Sequence, residues 1–72
     1  MRIGDRIRQR RHELGLTQED LADEINTTGA QICRWESGVR PAHEMLVRLA
    51  DSLGVTTDWL LDGSHSSPTP HL

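Results

Sequence analysis

The sequence predicts an all-α domain of five helices, and three observations support this class. Apolar residues recur at spacings of three and four, and no segment alternates with the period of two that marks a strand. Two Leu-Gly-apolar endings, at 14–16 and 53–55, carry glycine where many helices stop. The stretches between the predicted helices are short, so consecutive helices should be neighbours in space.

Helix 1 is predicted over residues 2–14. Three apolar residues fall on one stripe of this helix, which should face the core: Ile3, Ile7 and Leu14. Gly15 then takes the left-handed conformation that closes the helix, and Leu16 should fold back onto it.

Helix 2 is predicted over residues 18–25. The hydroxyl of Thr17 can accept a hydrogen bond from a backbone amide of the first turn, and Asp20 lies at the spacing of a capping box. Asn26 tolerates the left-handed conformation that ends the helix. One face of the helix is apolar through three residues: Leu21, Ala22 and Ile25.

Helix 3 is predicted over residues 29–37, from the N-cap Thr28 to the stop at Gly38. Ile32 and Trp35 supply its buried stripe. Together with helix 2 and the tight turn between them, it forms a helix-turn-helix. That arrangement presents its second helix to the major groove of DNA.

Two further helices follow. Pro41 suits the first turn of helix 4, because its missing amide needs no partner there. Four apolar residues of this helix repeat at helical spacing: Leu46, Leu49, Ala50 and Leu53. Helix 5 is predicted over residues 57–61, with Thr56 as its cap and Gly63 as its stop.

Length and charge bound the class of protein. The chain of 72 residues has room for one domain, predicted over residues 1–63 and followed by a disordered tail or linker stub at 64–72. It shows no apolar run of transmembrane length and no secretory leader, so we expect a cytoplasmic protein. The net charge is −3, but residues 1–14 hold five arginines against two acids, which leaves room for one basic face.

The sequence predicts no enzyme chemistry. No nucleophile-and-base group occurs, and the four histidines lack metal-ligand spacing: His12, His43, His65 and His71. The single cysteine, Cys33, has no second cysteine that could resolve an oxidised form. We therefore expect neither a metal ion nor another cofactor.

Several short motifs follow one another along residues 1–63 in a specific order. They are Ile3-Gly4-Asp5-Arg6-Ile7-Arg8, Leu14-Gly15-Leu16-Thr17-Gln18-Glu19-Asp20-Leu21-Ala22, Arg34-Trp35-Glu36-Ser37-Gly38, Pro41, Leu49-Ala50, Leu53-Gly54-Val55 and Asp58-Trp59-Leu60-Leu61-Asp62-Gly63. With these motifs the chain resembles the Cro/C1-type, or XRE-like, helix-turn-helix proteins, which include lambdoid phage repressors. The resemblance implies a compact five-helix, lambda-repressor-like DNA-binding domain. The chain departs from the family pattern at Ala42, where a serine often caps helix 4.

The resemblance also implies a function. We expect a sequence-specific transcriptional regulator, a repressor of phage, prophage or mobile-element type, which binds a palindromic operator on double-stranded DNA as a homodimer. One alternative is an antitoxin-like or immunity-region protein whose main partner is another protein, such as a toxin or an anti-repressor. Another alternative is the N-terminal DNA-binding part of a longer regulator.

Helix 3 should enter the groove by its N-terminal end, so that its first residues meet base edges. Arg34 is expected to contact guanine and Gln31 to contact adenine or a phosphate, while Ala30 can touch a thymine methyl group. Two alternatives stay open at this point. Gln31 can close a capping box with Thr28, and Arg34 can clamp a phosphate or pair with an acid.

Other residues are expected to hold the DNA backbone without reading the base sequence. The resemblance places Gln18 on a phosphate, at the N-terminus of helix 2. Thr28 and Gly29 should make similar contacts from the start of helix 3. Arg40 can reach a phosphate or the minor groove from the loop that follows.

Two structural roles complete the expectations. The resemblance pairs Arg11 with Glu36 in an internal salt bridge between helix 1 and the end of helix 3. It also places dimerisation at the last helices, where apolar residues are available: Val55, Trp59, Leu60 and Leu61. As an alternative, Trp59 completes the core of the single chain.

Overall fold

The computed structural model describes residues 2–62, which form five α-helices and, within that range, no strand. In chain order these are α1 (Ile3–Glu13), α2 (Gln18–Ile25), α3 (Gly29–Glu36), α4 (His43–Leu53) and α5 (Thr57–Asp62). The predicted all-α class and the five helices are confirmed. The expected stop at Gly63 and the expected tail at 64–72 lie outside the described residues. None of the described helices is long and apolar enough to cross a membrane.

The first four helices end as the sequence predicts. Each end passes through a residue with positive φ: Gly15 at 73°, Asn26 at 61°, Gly38 at 124° and Gly54 at 70°. The next backbone amide then donates to a carbonyl five residues back, as Leu16 does to Arg11 at 3.0 Å. This Schellman pattern gives partners to carbonyl groups that the end of a helix would otherwise leave unpaired.

Threonine hydroxyls cap the starts of α2, α3 and α5. In each case the threonine Oγ1 accepts a hydrogen bond from the backbone amide three residues later. The pairs are Thr17 and Asp20 at 3.0 Å, Thr28 and Gln31 at 3.2 Å, and Thr56 and Trp59 at 3.0 Å. At α2 the reciprocal bond also forms, because Asp20 Oδ2 accepts from Thr17 N at 3.0 Å. The capping box predicted at Thr17 is therefore complete.

The start of α4 differs from the prediction. The helix begins at His43, so Pro41 lies before the N-cap Ala42 and outside the first turn. Ala42 has an extended backbone, with ψ at 156°, and its side chain makes no capping hydrogen bond. Pro41 is buried, so its ring packs within the loop between α3 and α4 and does not form part of the first helical turn.

One apolar core lies between the helices. α1 packs against α3, α4 and α5, while α2 packs against α3 and α4. The buried side chains come from every helix: Ile7, Leu21, Ala22, Ile25, Ile32, Trp35, Leu46, Leu49, Ala50, Leu53, Trp59 and Leu60. The prediction that Leu14 belongs to this core is wrong. It is 41% exposed, because α1 ends at Glu13 and the chain turns there.

Gly4 allows α1 to approach the C-terminal end of α3 closely. A Cβ atom at this buried position would lie 2.5 Å from the carbonyl oxygen of Trp35 and 2.7 Å from that of Glu36. Both oxygens belong to the backbone, so they cannot move aside as a flexible side chain can. The close approach brings the arginines of α1 within reach of the Glu36 carboxylate.

Candidate nucleic-acid interface

α3 has two faces with different surroundings. The inner face is buried, and it consists of Ile32, Trp35 and Glu36. The outer face is exposed to solvent, and it consists of Ala30, Cys33 and Arg34. The helical spacing of the apolar residues therefore decides which side chains a DNA groove can meet.

The buried carboxylate of Glu36 joins α1 to the end of α3. Arg11 donates to both of its oxygens, from Nε to Oε2 at 2.7 Å and from Nη2 to Oε1 at 3.1 Å. The third nitrogen, Nη1, donates to the carbonyl oxygen of Leu16 at 2.8 Å. This two-point contact matches the planar fork of the guanidinium and fixes its orientation.

Two further side chains donate to the same oxygen of Glu36. Gln18, the first residue of α2, donates from Nε2 to Oε1 at 3.2 Å, and Arg8 donates from Nε at 3.5 Å. We call Arg8, Arg11, Gln18 and Glu36 the Glu36 cluster. Sequence reasoning missed the part played by Arg8, although its position three residues before Arg11 puts both on one face of α1.

Hydrogen bonds within the Glu36 cluster keep its carboxylate ionised. Burial acts to raise the pKa of Glu36, but the hydrogen bonds from Arg11 and Gln18, the charge of Arg11 and the hydrogen bond from Arg8 outweigh burial. The pKa of Glu36 therefore lies below its ordinary value. The hydrogen bond to Glu36 raises the pKa of Arg11, against the opposing effect of burial.

Of the four arginines of α1 only Arg8 is exposed, so this helix contributes little to the basic face for which the sequence leaves room. Arg6 is buried and donates from Nη1 to the carbonyl oxygen of Leu60 in α5 at 3.1 Å. Arg10 donates from Nε to the carbonyl oxygen of Leu53, at the end of α4, at 2.8 Å. With Arg11, these are three of the five arginines in residues 1–14. All three bind groups of the chain itself.

Arg34 and Arg40 are available to an external anion. Both are exposed, and within residues 2–62 neither side chain makes an ion pair or a hydrogen bond. The pairing of Arg34 with an acid therefore does not occur in that range. Arg40 lines an open groove of about 370 Å³ together with Arg2, Ile3, Gly38 and Leu61.

The start of α3 combines a formed cap with an unused amide side chain. Thr28 Oγ1 accepts from the backbone of Gln31, which is one half of a capping box. The other half, from the Gln31 side chain to the Thr28 backbone, is not made within the described range. The half-buried side chain of Gln31 therefore remains available to another partner, beside the exposed Ala30 and the half-buried Gly29.

The residues expected at a dimer interface divide between core and surface. Leu60 is 0% exposed, because the core of the single chain already encloses it, so its predicted role in dimerisation is wrong. Trp59 is buried in the same core, which is the alternative that the sequence left open. Val55 is half-buried and Leu61 is 39% exposed, so these two keep apolar surface.

Titratable side chains elsewhere do not gather into a metal site. Among residues 2–62 there is no group of three or more His, Cys, Asp or Glu that could hold a metal ion. Cys33 is free and exposed on the outer face of α3.

A family model described as helix-turn-helix matches residues 7–60 of the chain. The chain is 36% identical over 70 residues to the HTH-type transcriptional regulator DicA of Escherichia coli (strain K12), covering 94% of this chain and 52% of that protein. It is 34% identical over 65 residues to the SPbeta prophage-derived uncharacterized HTH-type transcriptional regulator YonR of Bacillus subtilis (strain 168), covering 89% of this chain and 60% of that protein. The chain therefore spans about half to three fifths of the length of these relatives.

A solved structure shows the same arrangement of helices. The P22 c2 repressor protein in complex with synthetic operator 9T superposes with a TM-score of 0.85 at 34% sequence identity. The match covers 89% of this chain and 98% of that chain. The lambda-repressor-like fold predicted from the sequence is therefore confirmed.

Proposed function

Because the chain belongs to the Cro/C1-type helix-turn-helix family, we propose that it is a sequence-specific transcriptional repressor that binds a palindromic DNA operator as a homodimer. Each subunit places α3 in the major groove. The observation that carries this proposal is the division of α3. Its inner face is fixed by the core and the Glu36 cluster, while its outer face carries an arginine without a partner in residues 2–62. The similarity to a prophage-derived regulator supports a phage or prophage origin.

Arg34 is the principal reader of bases. Its guanidinium donates to O6 and N7 of a guanine through two parallel hydrogen bonds. Gln31 uses its free amide on an adenine or a neighbouring phosphate, and Ala30 packs against a thymine methyl group. Because so few side chains read bases, recognition also depends on the sequence-dependent shape of the DNA.

Residues beside the outer face hold the DNA backbone. Gln18 gives one amide hydrogen to Glu36, which leaves its second hydrogen for a phosphate at the N-terminus of α2. Thr28 makes a similar contact from the start of α3, and Arg40 reaches a phosphate from the groove beside Gly38. Contacts of this kind set the position of the protein on the duplex without reading its sequence.

A second subunit supplies the specificity that one outer face lacks. Two copies related by a twofold axis meet half-sites about 10–10.5 base pairs apart. The remaining apolar surface of Val55 and Leu61 supports an interface near the end of the domain. That surface is small, so we expect a weak dimer that is stabilised on the operator.

Selection of bound duplexes from a random library tests the proposed function. We expect an inverted repeat to be enriched, and its affinity to fall steeply as the salt concentration rises. A scrambled duplex of the same length and base composition serves as the control. An affinity that depends neither on base sequence nor on salt concentration would rule the proposal out.

A further inference from the structure

The carboxylate of Glu19 lies over the first residue of α3. A Cβ atom built on Gly29 would collide with Glu19 Oε2 and would lie 3.0 Å from its Cδ. The lack of a side chain at Gly29 is therefore what allows Glu19, from the neighbouring helix α2, to occupy this space. Any larger residue at position 29 would displace the carboxylate.

Glu19 is an acceptor without a partner in the described part of the chain. Two other carboxylates of α2 are engaged, since Asp20 accepts from the backbone of Thr17 at 3.0 Å and Glu24 accepts from the hydroxyl of Ser52. Asp23 is exposed and has no partner in the described part of the chain either, but it lies one turn further from the start of α2. The exposed side chain of Glu19, by contrast, makes neither an ion pair nor a hydrogen bond there. Its oxygens are free to accept from a ligand that meets the start of α3.

We propose that Glu19 is a specificity-determining residue, which accepts a hydrogen bond from the exocyclic amino group of a cytosine in the major groove. This inference rests on the proposed binding of α3 to DNA.

The chemistry of the groove selects the base that a carboxylate can accept from. In the major groove guanine presents acceptors, and thymine presents an acceptor and a methyl group. Cytosine presents the N4 amino donor, whereas adenine presents its N6 amino donor beside the N7 acceptor, which repels a carboxylate. A carboxylate therefore favours cytosine and disfavours guanine and thymine. Ala30, the next residue of α3, has no polar side-chain atom and cannot compete with Glu19 for this donor.

Base preferences of the wild type and two variants of Glu19 test the inference. Selected from one random duplex library, the wild type should prefer cytosine over guanine or thymine by about tenfold or more at one position of each half-site. Glu19→Ala should lose this preference. Glu19→Gln should shift it towards adenine, to which an amide binds through two hydrogen bonds.

Two further variants act as controls on charge and on geometry. Asp23→Ala removes a carboxylate from the same helix one turn away, and it should keep the cytosine preference. Gly29→Ala changes no charge but displaces the Glu19 carboxylate, so it should weaken the cytosine preference as Glu19→Ala does.

The outcomes separate this inference from the proposed function. If the wild type enriches no sequence, the proposed function fails and the inference fails with it. If the wild type enriches an operator and Glu19→Ala retains every base preference, the inference alone is overturned. A fall in the unfolding midpoint of Glu19→Ala, with unchanged preferences, would also overturn it and would assign Glu19 to the stabilisation of the α3 N-terminus.

Discussion

α1 and the segment that runs from α3 into the following loop both carry arginines, but they use them differently. Arg6, Arg10 and Arg11 of α1, which we call the inward set, donate to carbonyl or carboxylate oxygens of the chain itself. Arg34 and Arg40, which we call the outward set, have no such partners within residues 2–62. The difference arises because α1 passes the ends of α3, α4 and α5, where oxygens are available as acceptors. The charge that a duplex meets therefore depends on where the helices end, and not on the count of basic residues.

The largest effect is expected from Arg11→Ala, which breaks the inward set. Removing Arg11 takes the main partner from the buried Glu36 carboxylate, and we expect a loss of about 3–5 kcal/mol in the free energy of unfolding. Urea unfolding followed by the fluorescence of the buried Trp35 and Trp59 would measure it. Arg8→Ala removes an exposed partner of the same carboxylate, so it should cost no more than about 1 kcal/mol. Equal losses for the two variants would contradict the assignment of roles.

Arg34→Ala should have the opposite signature, because it belongs to the outward set. We expect about 1–3 kcal/mol of lost operator affinity and a relaxed preference at the base pair that Arg34 contacts. The free energy of unfolding should change by no more than about 0.5 kcal/mol. Titration of the selected operator, alongside urea unfolding of the same preparation, checks both values. A large loss of stability with unaltered base preference would show that Arg34 stabilises the fold and does not read bases.

A smaller effect, on the pH dependence of stability, sharpens the role of the inward set. The pKa of Glu36 is lower in the folded chain than its ordinary value of 4.5, so folding favours the ionised form. Its contribution to the free energy of unfolding is therefore complete above about that pH and is lost as the pH falls through the lower pKa of the folded state. Urea unfolding between pH 6 and pH 3 should show this loss.

The matched variant for the pH experiment is Glu36→Gln, which cannot ionise. Its stability should depend less on pH in the acidic range than that of the wild type. Glu13 and Asp20 also have lowered pKa values, the first through hydrogen bonds from Gln9 and Arg10 and the second chiefly through the backbone of Thr17. They contribute to the slope that remains. Identical slopes for the two proteins would exclude Glu36 as a contributor.

The smallest effect is expected from Arg40→Ala, at the edge of the outward set. Loss of one phosphate contact should weaken operator and non-operator duplexes alike. It should also reduce the magnitude of the slope of log affinity against log salt by about one. Salt titrations on the two kinds of duplex measure this slope. A loss confined to the operator would instead indicate that Arg40 reads the minor groove.

Features set by neighbouring residues in the chain could be predicted from the sequence. Thr17 and Thr28 cap helices because a hydroxyl at that position reaches an amide three residues later, and Asn26 ends α2 because it tolerates positive φ. The same holds for the outward position of Arg34, which follows from the helical spacing of Ile32 and Trp35. These signals need no knowledge of where other helices lie.

Features set by distant contacts could not be predicted from the pattern of residues alone. The Arg11–Glu36 pair, 25 residues apart, is expected only through the family resemblance. The acceptors of Arg6 and Arg10 are carbonyl groups more than 40 residues away, so only the packed structure reveals them. Leu60 shows the same limit, because an apolar residue in a last helix suits a core and an interface equally well. The approach of Glu19 to Gly29 joins two helices, and the sequence marks it only by a glycine in a helical position.

The attachment of α3 through Ile32, Trp35 and Glu36 has a consequence for how such a protein can change. None of these three anchors faces solvent, and none depends on the identity of Ala30, Cys33 or Arg34. Substitutions on the exposed side can therefore accumulate without a penalty in folding. The preferred operator sequence can therefore change through a few substitutions on the exposed face of α3, while the buried residues keep the fold unchanged.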